Sequence, residues 1–122
     1  MKIYITGLGC ISSIGHNVEH NLESLKNESI GIKKAKFFES KYANQLMFGE
    51  VNLSNEELKA MLRLDRLKGL TRTDLLAFKA FDEAIKDAQL SEEDISSKKT
   101  AFISASTVGG MCLTTQLYND SK

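Results

Sequence analysis

Two short apolar runs dictate the architecture open to this chain. Ile3 to Thr6, closed by Gly7 and Gly9, and Thr100 to Ser106 lack the in-and-out alternation of a half-exposed strand, so both read as strands buried on both faces. Strands of that kind belong to parallel sheets with helices on each side, and such a sheet needs several neighbours. Two strands do not complete one, and the sequence therefore predicts an α/β fold whose sheet is incomplete and covered by helices.

Between the runs, capping residues and 3.6-residue periodicity mark helices. Asn17 is placed to cap a first helix in which Val18, Leu22 and Leu25 form one stripe, with Glu19, Glu23 and Lys26 elsewhere, and this stripe is expected to pack on the sheet. Residues 27–72 read as an irregular, cap-like excursion. Within it a short strand is expected at Met47 to Val51, and a short helix after Ser54, where Ser54 and Glu57 make a capping-box pattern ahead of Leu58, Met61 and Leu62. The strongest helical signal runs from Thr73 to Gln89. Leu76, Phe78, Ala80, Phe81, Ala84, Ile85 and Ala88 give it a broad apolar face, and Thr71 with Asp74 supplies the cap. A polar turn at Ser91 to Lys99 leads to the second apolar run, and a further helix is predicted at Met111 to Tyr118. Strand, helix, long helix, strand is an α/β order.

The chain's 122 residues carry sixteen basic and sixteen acidic side chains, scattered rather than blocked. No net field draws it to nucleic acid or to an anionic membrane, so partners are to be sought through shape and apolar contact. No apolar run reaches the length of a spanning helix and no secretory leader pattern opens the sequence, which makes the cytoplasm the expected location. Cys10 and Cys112 show neither metal spacing nor a disulfide framework, and are expected to be small buried apolar residues.

Several motifs invite chemistry and are outweighed by plainer readings. Gly7-Leu8-Gly9 after a strand suggests a dinucleotide turn, but Ser12 stands where a third glycine belongs and the helix begins too late, so a tight structural turn is favoured. Gly109-Gly110 lacks the lysine and hydroxyl of a phosphate loop. Cys112 lies near a predicted helix start with apolar neighbours and no nearby histidine, which favours an inert thiol. His16 and His20 share a spacing that can bind metal, without a third ligand. Arg63, Asp65, Arg66, Lys68 and Arg72 form a basic cluster that could meet an acidic carrier protein, although Glu56, Glu57 and Asp74 flank it and a solvated surface is the simpler account.

Taken in order, these pieces resemble the N-terminal portion of the β-ketoacyl synthases that elongate acyl chains on a carrier protein. Thr6-Gly7-Leu8-Gly9 with Ser12 and Gly15 is similar to the family's opening, Val18 to Leu25 and then Ser29 to Ile32 to its first helix and turn, and Gly49-Glu50-Val51 to a recurring triplet. Asp74 to Leu90 resembles its alanine-rich helix, and Ala101 to Met111 its next strand and glycine-rich turn. Ser106-Thr107 departs from the family's serine-glycine step, and the chain has no proline where the opening turn often carries one.

The resemblance implies the N-terminal part of a thiolase-like fold, in a protein that dimerises with itself or with a related subunit. It implies decarboxylative Claisen condensation of acyl and malonyl thioesters held on acyl carrier protein, in fatty-acid or polyene synthesis, with no metal and no redox cofactor. The family's nucleophilic cysteine and two histidines are expected beyond Lys122, so no catalytic residue is assigned here. Val108 alone is carried over, as a residue lining the acyl-chain pocket. A non-catalytic, chain-length-determining partner of the same ancestry is the alternative, and the fragment alone is expected to be silent.

Overall fold

The computed structural model describes residues 2–37, 40–64, 68–107, 109 and 118. Its elements run α1 (Val18–Lys26), β1 (Lys33–Lys34), β2 (Met47–Phe48), α2 (Asn55–Leu62), α3 (Arg72–Asp87) and α4 (Glu92–Ser96). Among the described residues the architecture is a set of helices with one small antiparallel sheet, in which Lys33 pairs with Phe48 and Lys34 with Met47.

Side-chain caps start each helix. The Asn17 carboxamide oxygen accepts from the His20 N–H at 2.7 Å and opens α1. Ser54 with Glu57, Thr71 with Asp74 and Ser91 with Asp94 form reciprocal capping boxes at α2, α3 and α4. Each satisfies two orphan backbone donors, and losing such a cap costs about 1 kcal/mol. The hydrogen bonds hold all three carboxyls below their ordinary range. For Glu57 and Asp74 the backbone N–H of the cap residue is the main cause, and for Asp94 it is the Ser91 hydroxyl.

The core lies where α2 crosses α3. Leu58 and Leu75 are fully buried, Leu53 nearly so, and Ile11, Val51, Leu62, Leu64, Leu70 and Leu76 pack around them. Burying each of those two leucines is worth about 1.5–3 kcal/mol. Arg72, at the start of α3, ties the preceding segment to this core. Its guanidinium donates to the carbonyls of Leu53 (2.9 Å) and Val51 (2.8 Å) and to the Asn55 side-chain oxygen (3.0 Å), and it lies 5.5 Å from the Phe37 ring centroid. Glu50 in turn accepts from the backbone N–H of Lys36 and Phe37, at 2.7 and 3.0 Å.

Several expectations are corrected. Neither Ile3 to Thr6 nor Thr100 to Ser106 forms a strand; both are exposed, with Ile5 at 82% and Ile103 at 90%, because no described segment lies alongside to pair with them. The one sheet is antiparallel and sits inside the 27–72 excursion, and its strand at Met47 stops at Phe48 instead of Val51. The polar turn at Ser91 to Lys99 holds the short helix α4. On α1, Leu22 and Leu25 face outward while Asn21 is buried, because the turn it packs on offers polar groups: Asn21 accepts from the Ser12 hydroxyl, and the Ser24 hydroxyl donates to the Ile14 carbonyl at 2.6 Å. Met61 is exposed, Phe78 and Phe81 are only partly covered, and Leu75, absent from the expected α3 face, is the residue buried completely. Cys10 is exposed, since its segment is covered on the α3 side and open opposite. Of the helix expected at Met111 to Tyr118 only Tyr118 is described, and it is helical; Val108, Gly110 and Cys112 lie outside the described residues.

Candidate functional site

The opening turn is built against α3 by a match of two spacings. Residues two apart on an extended segment lie about 6.6 Å apart, and residues four apart on a helix rise about 6 Å, so successive contacts stay in phase over a short distance. Gly7 and Gly9 occupy one such pair and Ala80, Ala84 and Ala88 the other. A Cβ on Gly9 would overlap the Ala80 carbonyl, and one on Gly7 would sit 2.7 Å from the Ala88 methyl. Only glycine allows this approach.

The same spacing serves the polar groups. Asp87 accepts from the Leu8 N–H at 2.9 Å, while Glu83 accepts from the Cys10 N–H at 3.0 Å with one oxygen and from the Val18 N–H at 2.8 Å with the other. Glu83 thereby joins the turn, the start of α1 and the middle of α3. These contacts give the Gly7-Leu8-Gly9 motif a structural role: the glycine faces are filled by helix backbone, and the Leu8 and Cys10 amides are taken by carboxylates. Glu83 and Asp87 were not singled out in the sequence, although two carboxylates four apart on the helix that follows two glycines two apart are a readable signal.

The remaining sequence candidates separate. His16 and His20 line a cavity of about 280 Å³ together with Glu23, Ser24, Lys33 and Asn52, and among the described residues no group of three or more histidine, cysteine, aspartate or glutamate side chains is placed to hold a metal ion. Gly109 lies beside the α3 start, where an added Cβ would meet the Ser106 hydroxyl at 2.9 Å and the Thr73 methyl at 3.6 Å. That is close packing of a turn on a helix. The basic cluster is divided: Arg63 is exposed at the left-handed C-cap of α2 (φ 57°), Lys68 is exposed, Arg72 points inward onto carbonyls, and Asp65 and Arg66 lie outside the described residues. The Cys10 thiol has no hydrogen bond to a base among the described residues, so no nucleophile and base are paired there. Among the described residues no helix is long and apolar enough to cross a membrane.

Among the described residues the chain is a mixed domain of helices and one small antiparallel sheet, with its opening glycine turn packed directly on α3. The chain belongs to the family described as the N-terminal domain of β-ketoacyl synthases, which it matches over residues 1–122. It is similar to 3-oxoacyl-(acyl-carrier-protein) synthase 1 of Haemophilus influenzae, with 32% identity over 110 residues, 88% of this chain and 26% of that protein. The same-named protein of Buchnera aphidicola from Schizaphis graminum is 29% identical over 109 residues, 89% of this chain and 26% of that protein. Synthase 2 of Staphylococcus aureus is 28% identical over 110 residues, 90% of this chain and 26% of that protein. The chain thus spans about a quarter of the length of these relatives. No solved structure matches it.

Proposed function

We propose that this chain is the N-terminal portion of a 3-oxoacyl-acyl-carrier-protein synthase, and that residues 1–122 form part of the first half of a thiolase-like fold with 27–72 as its cap-like excursion. In the reaction proposed for the parent, an acyl group passes from carrier protein to a cysteine thiol. Malonyl-carrier protein then loses carbon dioxide, and the resulting enolate carbon attacks the thioester, releasing the thiolate. Such enolate and oxyanion charge is stabilised by preorganised donors, here two histidines. The cysteine and both histidines are assigned to the parent enzyme beyond residue 122, and Val108 to the wall of the acyl pocket. The parent is proposed to work as a dimer and to take its substrates from acyl carrier protein.

The observation that carries this reading is the family match along the whole chain, with relatives that are all named as synthases of one reaction. The packing of Gly7 and Gly9 on α3 supports it by giving the opening motif a structural role instead of a nucleotide site.

The test is direct. The 122-residue chain, assayed with acyl- and malonyl-carrier protein, is expected to give no condensation product, and turnover by the chain alone refutes the assignment. Reading the parent gene past codon 122 separates the enzyme, with a cysteine in a strand-to-helix turn, from a non-catalytic partner with another residue there.

A further inference from the structure

We propose that the cavity between the turn before α1, α1 itself and β1 is an anion site that takes a phosphate group, free or as a small monoester. The inference rests on this cavity and not on the condensation reading.

The cavity walls are set by contacts within residues 12–52. The Ser24 hydroxyl donates to the Ile14 carbonyl at 2.6 Å, the Asn21 carboxamide donates to the Asn17 carbonyl at 2.7 Å and accepts from the Ser12 hydroxyl, and Gly31 packs directly on Ser13 and Ile14. The space they leave has a volume of about 280 Å³, and Ser13, His16, His20, Glu23, Lys33 and Asn52 are among the residues lining it. That is the small end of the range for ligand sites, enough for a phosphate and a short ester group.

The lining offers donors in excess of acceptors. Among the described residues the side chains of Ser13, His16, His20, Lys33 and Asn52 make no hydrogen bond or salt bridge, and Glu23 is the one carboxylate in the lining. The first amides of α1 do not supply the recognition, because the Val18 N–H is taken by Glu83 and the His20 N–H by Asn17. It falls instead to an ammonium, two imidazoles, a hydroxyl and a carboxamide around one space. A phosphate group has three or four oxygens to accept from them where a carboxylate has two, and bonds between ionised partners are the stronger kind. Ser13 and His16 are half-buried while His20, Lys33 and Asn52 are exposed, so a small ligand enters from the solvent side.

Charge decides when the site is competent. With both imidazoles neutral, Lys33 and Glu23 cancel; with both protonated, three cations face one carboxylate. Outside the lining, Glu57 of α2 feels the charges of His16 and Lys36, but its carboxylate is engaged by Ser54. Histidine side chains change charge between about pH 5 and 8, so affinity is expected to rise as pH falls through that range.

The experiment is isothermal titration of the full-length protein that carries residues 1–122 with inorganic phosphate, glycerol phosphate, sulfate and acetate, beside the variants His20→Gln and Lys33→Met, with circular dichroism confirming that both fold. Phosphate is expected to bind with a dissociation constant of about 1 mM or tighter, and about tenfold more weakly to each variant. Acetate is expected to bind about tenfold more weakly than phosphate. Sulfate, a dianion throughout, is expected to bind about tenfold more tightly near pH 6 than near pH 8. Glycerol phosphate binding more tightly than inorganic phosphate assigns the site to a monoester, and equal or weaker binding assigns it to free phosphate. No phosphate binding, binding undiminished in either variant, acetate bound as tightly as phosphate, or sulfate binding indifferent to pH would each overturn the proposal.

Discussion

Replacing Arg72 by alanine tests whether α3 and the segment before α2 are held together by one side chain. The guanidinium donates to two main-chain carbonyls and one carboxamide, at 2.8–3.0 Å, from a half-buried position beside the nearly buried Leu53. Hydrogen bonds from a charged donor contribute roughly 1.5–3 kcal/mol each, but part of that is recovered when water reaches the half-exposed carbonyls after truncation. The stacked Phe37 ring adds about 0.5–1 kcal/mol. Together these give an expected loss of about 3 kcal/mol, and with an m-value near 1.5 kcal/mol per molar the urea midpoint falls by about 2 M. Arg72→Lys keeps the charge but cannot span acceptors on both sides of a planar fork, and is expected to lose about 2 kcal/mol of the same total. The assay is urea unfolding followed by circular dichroism at 222 nm. A loss below about 0.5 kcal/mol for the alanine variant would refute the clamp, since that is the scale of ordinary surface substitutions. A lysine variant as stable as the parent would show that charge alone, not the three-way geometry, carries the effect.

Gly9→Ala forces a methyl onto the Ala80 carbonyl and is expected to lift the opening segment off α3 at a cost of about 2–4 kcal/mol, seen as faster amide exchange at Leu8 and Cys10; unchanged exchange would contradict the close approach. Glu83→Ala releases the N–H groups of both Cys10 and Val18 and is expected to cost about 2 kcal/mol, with exchange accelerating at those two amides and not at Leu75; protection retained at both would remove Glu83 as the link. The capping carboxyls set a pH dependence. Because Glu57, Asp74 and Asp94 are depressed in the folded chain, their stabilisation is complete above the ordinary values of 4.5 for Glu57 and 3.8 for the aspartates, and is lost as pH falls through the lowered ones. Helical signal is therefore expected to fall in acid, and to fall less in the triple variant Ser54→Ala, Thr71→Ala, Ser91→Ala; equal acid sensitivity in the two proteins would assign the loss elsewhere.

What the sequence disclosed and what it withheld divide by range of interaction. The caps at Asn17, Ser54 and Thr71 were legible because each bond joins residues three apart, and Ser91 with Asp94 carries the same signature, so α4 was readable in a stretch taken for a turn. Arg72 was not legible as a clamp, since its acceptors lie seventeen to twenty-one residues earlier and nothing local marks them. Periodicity placed α3 but mis-assigned its buried residue, because the helix turns different faces to different neighbours: Leu75 toward α2, and Ala80, Ala84 and Ala88 toward the opening turn. A single apolar stripe averages these. Of the candidate site, the glycine pair was recognised as structural, whereas its carboxylate partners, more than seventy residues away, emerged only from the fold.

The two apolar runs show the same division from the other side. Their composition marks them as interior strands, yet a strand exists only when a neighbour takes its hydrogen bonds, and among the described residues none does. Among the described residues Ile3 to Thr6 and Thr100 to Ser106 are accordingly exposed segments and not strands. α3 holds one end of each, through Glu83, Asp87 and the alanine surface for the first and Phe81 for the second. Fixing one end of each segment on the helix lowers the chain entropy that any later strand pairing would have to overcome, which is why the helix and not a sheet sets where these segments lie.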